Sequence, residues 1–582
     1  MKKLLLLIII MQSVSHIVSA QLTPYEQSKD HNRTAEYPEV IRFYEALDAR
    51  FDQLKMITCG LTDIGKPLHL VVLSKDKVFD PVLIRKQNKR VLLINNGIHP
   101  GEPEGIDASM MLARNLLERK QLPDDVVICI IPVYNIDGSL NRGVSRINQN
   151  GPESYGFRGN YQNLDLNRDF IKGDSWNSQS FQQIFNNWKP EIFVDNHTSN
   201  GADYQYIITL IPTQKDKLQP VLAQYLTDQM LPALYKGMEA DGYTLTPYVN
   251  SIGETPESGI EGFLETARYS TGYAALHNTI GFMPETHMLK PYKQRVESTY
   301  AFMQQVINVV QKDAKLIGLN RTKADEAVKK QEVFPLSWKL DKRDSSLFRF
   351  KGYEANHKKS EVSGLERLYY DRQTPFERNI KVWNKFVPTV EVKKPLAYIV
   401  PQAWHKVISL LKLNGVQMKQ FSEDQTVDLE MYYIADYKTS PRPYEGHYIH
   451  SNVKLETRKQ KVNFYSGDYI VYVDQPQNRY IVEALEPQGV DSFFAWNFFD
   501  SVLSQKEHFS AYVFEDEAAL LLKNDPELNK QLQAEKQKNP ELAKSASATL
   551  DWIYRHSPYY EKTHLRYPVG RLMNQINIED LK

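Results

Sequence analysis

The chain is poor in cysteine and has no excess of charge of either sign. Only two of its 582 residues are cysteine, which excludes a disulfide-rich fold and a zinc site built from cysteine. Cys59 and Cys129 each lie in an apolar, strand-like segment, so we expect small buried residues rather than a disulfide. Lysine plus arginine and aspartate plus glutamate both number 71, so the overall charge gives no reason to expect nucleic acid or anionic lipid as a partner.

Long apolar runs are also lacking, although a short one opens the sequence. Two lysines precede apolar residues 4–11, and the small residues Val18, Ser19 and Ala20 follow. This pattern predicts a secretory signal peptide over residues 1–20, and therefore an exported protein of the periplasm or the extracellular space. The apolar run is far shorter than the roughly 20 residues that span a bilayer, so we expect no membrane attachment after cleavage.

The length predicts more than one folding unit, because single cores rarely exceed about 300 residues. Hydrophobic residues make up 42% of the chain, which is enough for packed cores. Composition and patterning divide it into a first domain over residues 21–315, a helical linker over 316–332 and an accessory region of unknown function over 333–582. Within the accessory region, residues 396–421 read as a small strand-helix-strand unit.

Short apolar runs alternate with helical patterns in the first domain. Strands are predicted at residues 90–95, 126–133, 191–195, 206–211 and 281–283, and helices at 106–119, 178–188, 220–241 and 290–312. The first two strands are almost uniformly apolar, as strands buried on both faces should be. The predicted fold class is α/β, with a mixed, mainly parallel sheet flanked by helices, followed by an α+β accessory region.

Four polar residues follow or end predicted strands of this sheet. His99 and Glu102 come after the first strand, His197 follows the strand that ends at residue 195, and Glu285 follows the strand at 281–283. The carboxyl ends of parallel strands meet at one edge, where open α/β sheets bind ligands. Two imidazoles and one carboxylate match the protein ligands of a catalytic zinc ion, and a further carboxylate can serve as general base.

Several short motifs in a fixed order resemble the zinc carboxypeptidase family, in its A/B type and its exported bacterial branch. The motifs are Gly97-Ile98-His99-Pro100-Gly101-Glu102, Asn135-Ile136-Asp137-Gly138, Asp165-Leu166-Asn167-Arg168, Asp195-Asn196-His197 and Glu285-Thr286-His287. The resemblance covers residues 40–315. It implies one zinc ion per chain, held by His99, Glu102 and His197, with Glu285 as general base.

The resemblance also implies a site for the terminal carboxylate of a peptide. Asn167 and Arg168 would bind that carboxylate, the arginine as a bidentate fork. Asp165 would accept the remaining N–H of His99 and so fix the orientation of the imidazole.

Two further roles that the resemblance implies have more than one candidate. An arginine should stabilise the oxyanion. Arg158 is preferred for its Gly-Phe-Arg context, with Arg146 second and Arg142 also open. A tyrosine should cap the substrate, and Tyr273 is preferred over Tyr269.

The expected activity is that of a zinc-dependent exopeptidase that removes the last residue of a peptide with a free C-terminal carboxylate. One alternative is a zinc amidohydrolase or deacylase that acts on acyl-amino acids or cell-wall peptides. The other is a protein that binds peptides or glycans without catalysis. The complete set of His99, Glu102, His197 and Glu285 favours an enzyme, because a binding protein has no chemical need for all four.

Overall fold

A computed structural model describes residues 21–573 of the chain. The predicted signal peptide, residues 1–20, lies outside the described residues, and export stays a prediction. Among residues 21–573 no helix combines the length and the apolar character needed to cross a bilayer.

The first region is built on a nine-stranded mixed sheet. Eight strands run in the order β1-β2-β4-β3-β5-β10-β7-β8, and β6 pairs with β10. The central strands β4, β3, β5 and β10 are parallel. The pairs β1-β2, β2-β4 and β10-β7 are antiparallel, and β7-β8 is parallel. The strands of this sheet are β1 (Leu54–Leu61), β2 (Pro67–Leu73), β3 (Arg90–Asn95), β4 (Val126–Ile131), β5 (Ile192–Asp195), β6 (His197–Ser199), β7 (Ile208–Pro212), β8 (Thr246–Pro247) and β10 (Ile280–His287). Strand β9 (Ile260–Glu261) lies outside it and pairs with Val382 and Trp383 of the accessory region.

Helices flank this sheet, so its central strands are buried on both faces. Every residue of β3, β4 and β5 is buried, which explains their nearly continuous apolar sequences. The helices are α1 (Pro24–Gln27), α2 (Tyr37–Arg50), α3 (Pro81–Lys86), α4 (Glu104–Glu118), α5 (Ile136–Leu140), α6 (Trp176–Trp188), α7 (Pro220–Tyr225), α8 (Leu231–Ala240), α9 (Ser270–Leu276) and α10 (Tyr292–Lys330). The predicted mixed, mainly parallel sheet flanked by helices is confirmed.

Helix α10 crosses the domain boundary predicted from the sequence. It runs for 39 residues without a break at residue 315 and includes most of the proposed linker. Its last third still buries Ile317, Ala324 and Val328. Residues 316–332 therefore pack against the protein instead of spanning a gap between two separate bodies, because the apolar face of the helix continues past the predicted boundary.

The accessory region is an α+β structure with a six-stranded sheet in the order β16-β19-β15-β20-β17-β18, all of it antiparallel. The accessory region as a whole contains the strands β11 (Val333–Leu340), β12 (Ser346–Lys359), β13 (Glu366–Trp383), β14 (Phe386–Lys393), β15 (Ala397–Val400), β16 (Lys419–Gln420), β17 (Gln425–Thr439), β18 (His450–Phe464), β19 (Tyr469–Tyr472) and β20 (Gly570–Leu572). Its helices are α11 (His405–Leu413), α12 (Asn478–Leu485), α13 (Ala511–Asn524), α14 (Pro526–Lys538), α15 (Pro540–Lys544) and α16 (Ala546–Arg555). The strand-helix-strand unit predicted near 396–421 is present as β15, α11 and a short β16.

One hydrophobic core joins the two regions. It contains Phe170 and Phe181 of the first region together with Tyr398, Leu410 and Tyr480 of the accessory region. The accessory region therefore packs directly on the domain that holds the predicted site.

Candidate active site

A cavity of about 360 Å³ opens at the carboxyl ends of the central parallel strands. His99 lies in the loop after β3, His197 opens β6 just beyond β5, and Glu285 lies in β10. The register of β6 and β10 pairs Glu285 directly with His197. The topology thus brings together the four polar residues that the sequence places at strand ends.

A tight turn after β3 presents His99 and Glu102 on the same side. The amide of Glu102 donates to the carbonyl of His99 at 2.8 Å. Gly97 enters this turn at φ 64°, and a Cβ there would lie 3.0 Å from Cδ1 of Ile106. Glycine suits this left-handed position because it lacks a side chain.

Ligand atoms of His99, Glu102 and His197 all lie within 4.8 Å of one another. The Nδ1 atoms of both imidazoles face the Glu102 carboxylate, His99 Nδ1 at 3.3 Å from Oε1 and His197 Nδ1 at 3.2 Å from Oε2. His99 Nδ1 is buried and has no hydrogen-bond partner among residues 21–573. A buried nitrogen without a partner is costly unless a further group satisfies it, and a metal ion at the centre of this cluster would do so.

A carboxylate contacts the opposite nitrogen of each imidazole. Asp165 Oδ1 lies 2.9 Å from His99 Nε2, and Asp195 Oδ2 lies 3.0 Å from His197 Nε2. Asp195 is itself fixed by the side-chain amide of Asn95 at 2.9 Å. Such contacts orient metal-binding imidazoles and leave Nδ1 of each ring free to bind. The sequence suggested this role for Asp165 and assigned none to Asp195, although Asp195 stands two residues before a ligand on the same strand.

The electrostatics of the cluster favour a cation. Burial alone would raise the pKa of Glu102, but the charges of Arg146 and His99 hold it well below its ordinary value. Burial alone would lower the pKa of His197, but the charge of Asp195 and its hydrogen bond raise it well above 6.5. A site that stabilises positive charge on a buried imidazole also suits a divalent metal ion. The donor set of two imidazoles and one carboxylate is that of a catalytic zinc site.

Glu285 lines the same cavity with a carboxylate that accepts no hydrogen bond from residues 21–573. Burial and then the nearby charge of Glu102 raise its pKa to about 8, even though His197 acts in the opposite direction. A cation bound by the neighbouring cluster would lower this pKa again, since an adjacent positive charge favours the carboxylate form. Glu285 is therefore placed to exchange a proton with a molecule in the cavity.

Asn167 and Arg168 lie side by side on the wall of the cavity. The side-chain oxygen of Asn167 accepts from the amide of Ser270 at 3.3 Å, which orients this side chain. The Arg168 guanidinium donates through Nη1 to the carbonyl of Asn167 at 2.7 Å, and its Cζ lies 4.4 Å from the ring centroid of Tyr269. The pair forms a fixed cationic wall that suits a carboxylate.

Of the three arginines left open by the sequence, the structure brings two to the cavity. Arg146 donates to Glu102 Oε1 at 2.5 Å and to the carbonyl of Thr198 at 3.0 Å. Arg158 is half exposed, with Nη2 at 2.8 Å from Asp165 Oδ2 and Nη1 at 3.4 Å from Glu102 Oε1. Arg142 instead donates to the carbonyl of Ser154 and does not line the cavity. Arg158 is the more accessible of the two cavity arginines, which keeps it first for the oxyanion role.

The prediction of Tyr273 as the substrate-capping residue is corrected by the structure. Tyr273 lies on the inward face of α9, is fully buried, and donates its hydroxyl to Asn414 at 2.5 Å. Tyr269, the alternative that the sequence left open, is the N-terminal flanking residue of α9 and lines the cavity. The two differ by one helical turn, and the sequence alone did not show which end of the helix faces the site.

Several other residues line the cavity, and the sequence assigned no role to them. Tyr248, Phe263 and Glu265 line it from the segment between β7 and α9. Burial raises the pKa of Glu265 to about 7. Tyr444 and Glu445 reach this neighbourhood from the accessory region, in contact with Arg168 and Asp165.

Comparisons with known proteins agree on one family. Residues 40–271 match the family model described as zinc carboxypeptidase. Carboxypeptidase 2 of Trichophyton rubrum is 21% identical over 432 residues, which cover 69% of this chain and 72% of the relative. Carboxypeptidase 2 of Trichophyton equinum is also 21% identical, over 73% of this chain and 76% of the relative.

Solved structures give a weaker likeness. Carboxypeptidase A from Helicoverpa armigera aligns with a TM-score of 0.38 at 14% identity, over 51% of this chain and 78% of that chain. A metallo-carboxypeptidase from Burkholderia cenocepacia aligns with a TM-score of 0.35 at 15% identity, over 48% of this chain and 70% of that chain.

Proposed function

We propose that the protein is a zinc-dependent exopeptidase that hydrolyses the C-terminal peptide bond of its substrates, and the match of residues 40–271 to the zinc carboxypeptidase family model supports this. The observation that carries this proposal is the presence, in one cavity, of the His99–Glu102–His197 cluster, the free carboxylate of Glu285 and the cationic wall of Arg168. The first two supply the chemistry of hydrolysis. The third selects a substrate that ends in a carboxylate.

In the proposed reaction His99, Glu102 and His197 would hold a zinc ion. A zinc ion in such a site makes water more acidic and polarises a carbonyl group. Glu285 accepts a proton from the attacking water and passes it to the nitrogen of the leaving amino acid as the C–N bond breaks. Arg158 donates N–H groups to the negative charge that develops on the carbonyl oxygen. Asn167 and Arg168 hold the terminal carboxylate and so align the last peptide bond with Glu285.

The proposal is tested by zinc content together with the products that mass spectrometry detects from a mixed peptide library. We expect one zinc ion per chain and the loss of single C-terminal residues from peptides with a free carboxylate. The Glu285→Gln variant should keep its zinc and lose turnover by about 10²–10⁴-fold, because the metal ligands stay and the proton acceptor is lost.

Two outcomes would contradict the proposal. Wild-type rates in Glu285→Gln would remove Glu285 from the reaction. Zinc without peptide cleavage, but with hydrolysis of acyl-amino acids, would instead show a deacylase that uses the same site. C-terminally amidated peptides serve as the control, because they lack the carboxylate that Arg168 is proposed to bind.

A further inference from the structure

A hairpin tip of the accessory region reaches the wall of the active site. The tip comprises residues 440–449. It connects β17, which ends at Thr439, to β18, which begins at His450, and these two residues are paired. From it the Tyr444 hydroxyl accepts a hydrogen bond from Arg168 Nε at 2.9 Å, and Glu445 Oε2 accepts one from the Asp165 amide at 2.7 Å. The tip thus contacts the proposed carboxylate anchor and the residue that holds His99.

The turn at the tip is constrained. Tyr444 and His447 exchange two backbone hydrogen bonds, at 2.7 and 3.1 Å. Glu445 has φ 50° and Gly446 has φ 80°, so both central residues are left-handed, as in a type I′ turn. A glutamate is unfavourable at such a position, where asparagine, aspartate or glycine is usual. The Glu445 carboxylate accepts a hydrogen bond from the Asp165 amide. This contact explains why a glutamate occupies a backbone conformation that is unfavourable for it.

The ring of Tyr444 is fixed by its neighbours. The ring stacks on that of Trp496 with centroids 6.3 Å apart and an interplanar angle of 25°. The guanidinium of Arg268 lies 5.5 Å from the Tyr444 ring and 4.9 Å from Trp496, and it forms an ion pair with Asp491 at 2.7 Å. Trp496 is fully buried. Tyr444 therefore presents its hydroxyl to Arg168 from a rigid base that includes residues of both regions.

Four groups set the orientation of Arg168, one of which is Asp165 Oδ2 at 3.9 Å from Nη1. Nη1 donates to the Asn167 carbonyl, the plane lies against Tyr269, and Nε donates to Tyr444. The Arg168 side chain lines the cavity, and its Nη2 atom donates no hydrogen bond to any of residues 21–573. A guanidinium binds a carboxylate well only when its plane and direction are set in advance. Without the Tyr444 hydroxyl, Nε of Arg168 would lose its only acceptor among the described residues.

We propose that Tyr444 is a positioning residue for the carboxylate-binding Arg168, so that the accessory region forms part of the active site. This inference rests on the proposed function, because it assumes that Arg168 binds the C-terminal carboxylate. Tyr444 acts through Arg168, so its removal should weaken the binding of substrates that end in a carboxylate. Steps that depend on Glu285 should be affected much less.

The test measures peptide binding by calorimetry in the zinc-loaded Glu285→Gln protein, whose turnover is expected to be at least about 100-fold slower. Two versions of one peptide are compared, the free acid and the C-terminal amide. Adding Tyr444→Phe should raise the Kd of the free acid about tenfold, because a hydrogen bond to a charged group is lost, and leave the Kd of the amide unchanged. In the active enzyme the same change should raise KM and leave kcat within about twofold.

A double-mutant cycle shows whether Tyr444 acts through Arg168. In an Arg168→Ala background, Tyr444→Phe should change the Kd of the free acid less than twofold, since its partner is gone. Tyr448→Phe is the matched control, because Tyr448 lies on the same hairpin tip, is 52% exposed and has no side-chain hydrogen bond among the described residues.

The outcomes separate the inference from the proposed function. If the parent protein prefers the free acid and Tyr444→Phe leaves that preference intact, the inference is overturned and the proposed function stands. An equal loss on both peptides, or an undiminished loss in the Arg168→Ala background, also overturns it. If the parent does not distinguish the acid from the amide, the carboxylate anchor itself is wrong and the inference falls with it.

Discussion

At the scale of single residues, the site depends on carboxylates that do not bind the metal themselves. Asp165 and Asp195 each contact the Nε2 atom of one imidazole and leave Nδ1 directed at Glu102. The ring orientation is therefore set before a metal ion arrives. The entropic cost of ordering the two histidines belongs to folding, so it does not reduce the affinity for the metal.

The Asp195→Asn substitution should lower zinc affinity about 10–100-fold, because the amide is a weaker partner for the imidazole and lacks the negative charge. Competition with a chelator of known affinity, at constant pH, measures the effect. The control is Asp52→Asn, a surface change at a carboxylate whose one ion-pair partner within residues 21–573 is Lys77. Unchanged zinc affinity in Asp195→Asn would show that Asn95 and the strand alone hold His197 in place.

The sequence predicted the metal cluster and Glu285 because their positions follow from strand ends, which apolar patterns reveal. It did not separate Tyr273 from Tyr269, because both occur on or beside one short helix and only packing decides which faces the cavity. Tyr444 could not be found at all. It lies 276 positions from its partner Arg168 in the chain, and the contact arises from how two regions dock.

At the scale of elements, the contact between α11 and the helices α6 and α9 depends on one buried asparagine. Asn414 follows α11 and is fully buried. Its side-chain oxygen accepts from the hydroxyl of Tyr273 and from Asn186 at 3.3 Å, and its amide donates to Gln182 at 2.9 Å. Among the described residues, Asn414 alone accepts the hydroxyl proton of Tyr273 and alone donates to Gln182 Oε1, so it satisfies one buried polar atom on each of the two helices.

The Asn414→Ala substitution should lower the free energy of unfolding by about 2–4 kcal/mol, because the Tyr273 hydroxyl loses its acceptor and Gln182 Oε1 loses its donor. Urea denaturation followed by tryptophan fluorescence measures this loss. Ser409→Ala, on the exposed face of α11, is the control and should change stability little. A loss no larger than that of the control would show that water replaces the missing side chain.

At the scale of the whole molecule, α10 and the shared core make the two regions one unit. The predicted boundary at residue 315 was drawn where the composition becomes more charged, and the structure places it inside a continuous helix. Surface charge on one face of a long helix gives the same compositional signal as a linker. The sequence therefore located the accessory region and did not reveal that it shares a core with the first domain.

Removal of the accessory region should abolish folding of the remainder. A chain of residues 21–330 would expose the part of the core that Tyr398, Leu410 and Tyr480 now cover. We expect it to be insoluble or to lack a cooperative thermal transition, in contrast to the chain from residue 21 to its end prepared in parallel. A soluble, zinc-binding and active fragment would show that the first region is self-sufficient.

The hairpin tip also has a consequence for the order in which the protein becomes active during synthesis. A ribosome makes the chain from residue 1 onward at about 5–20 residues per second, so the zinc cluster and Glu285 emerge well before Tyr444. For that interval the nascent chain carries the residues for hydrolysis but lacks both the accessory residues of the shared core and the tyrosine that orients Arg168. Competence to bind a peptide terminus then comes late in translation, and a chaperone that covers the exposed core of the first region during this time would also delay the first turnover.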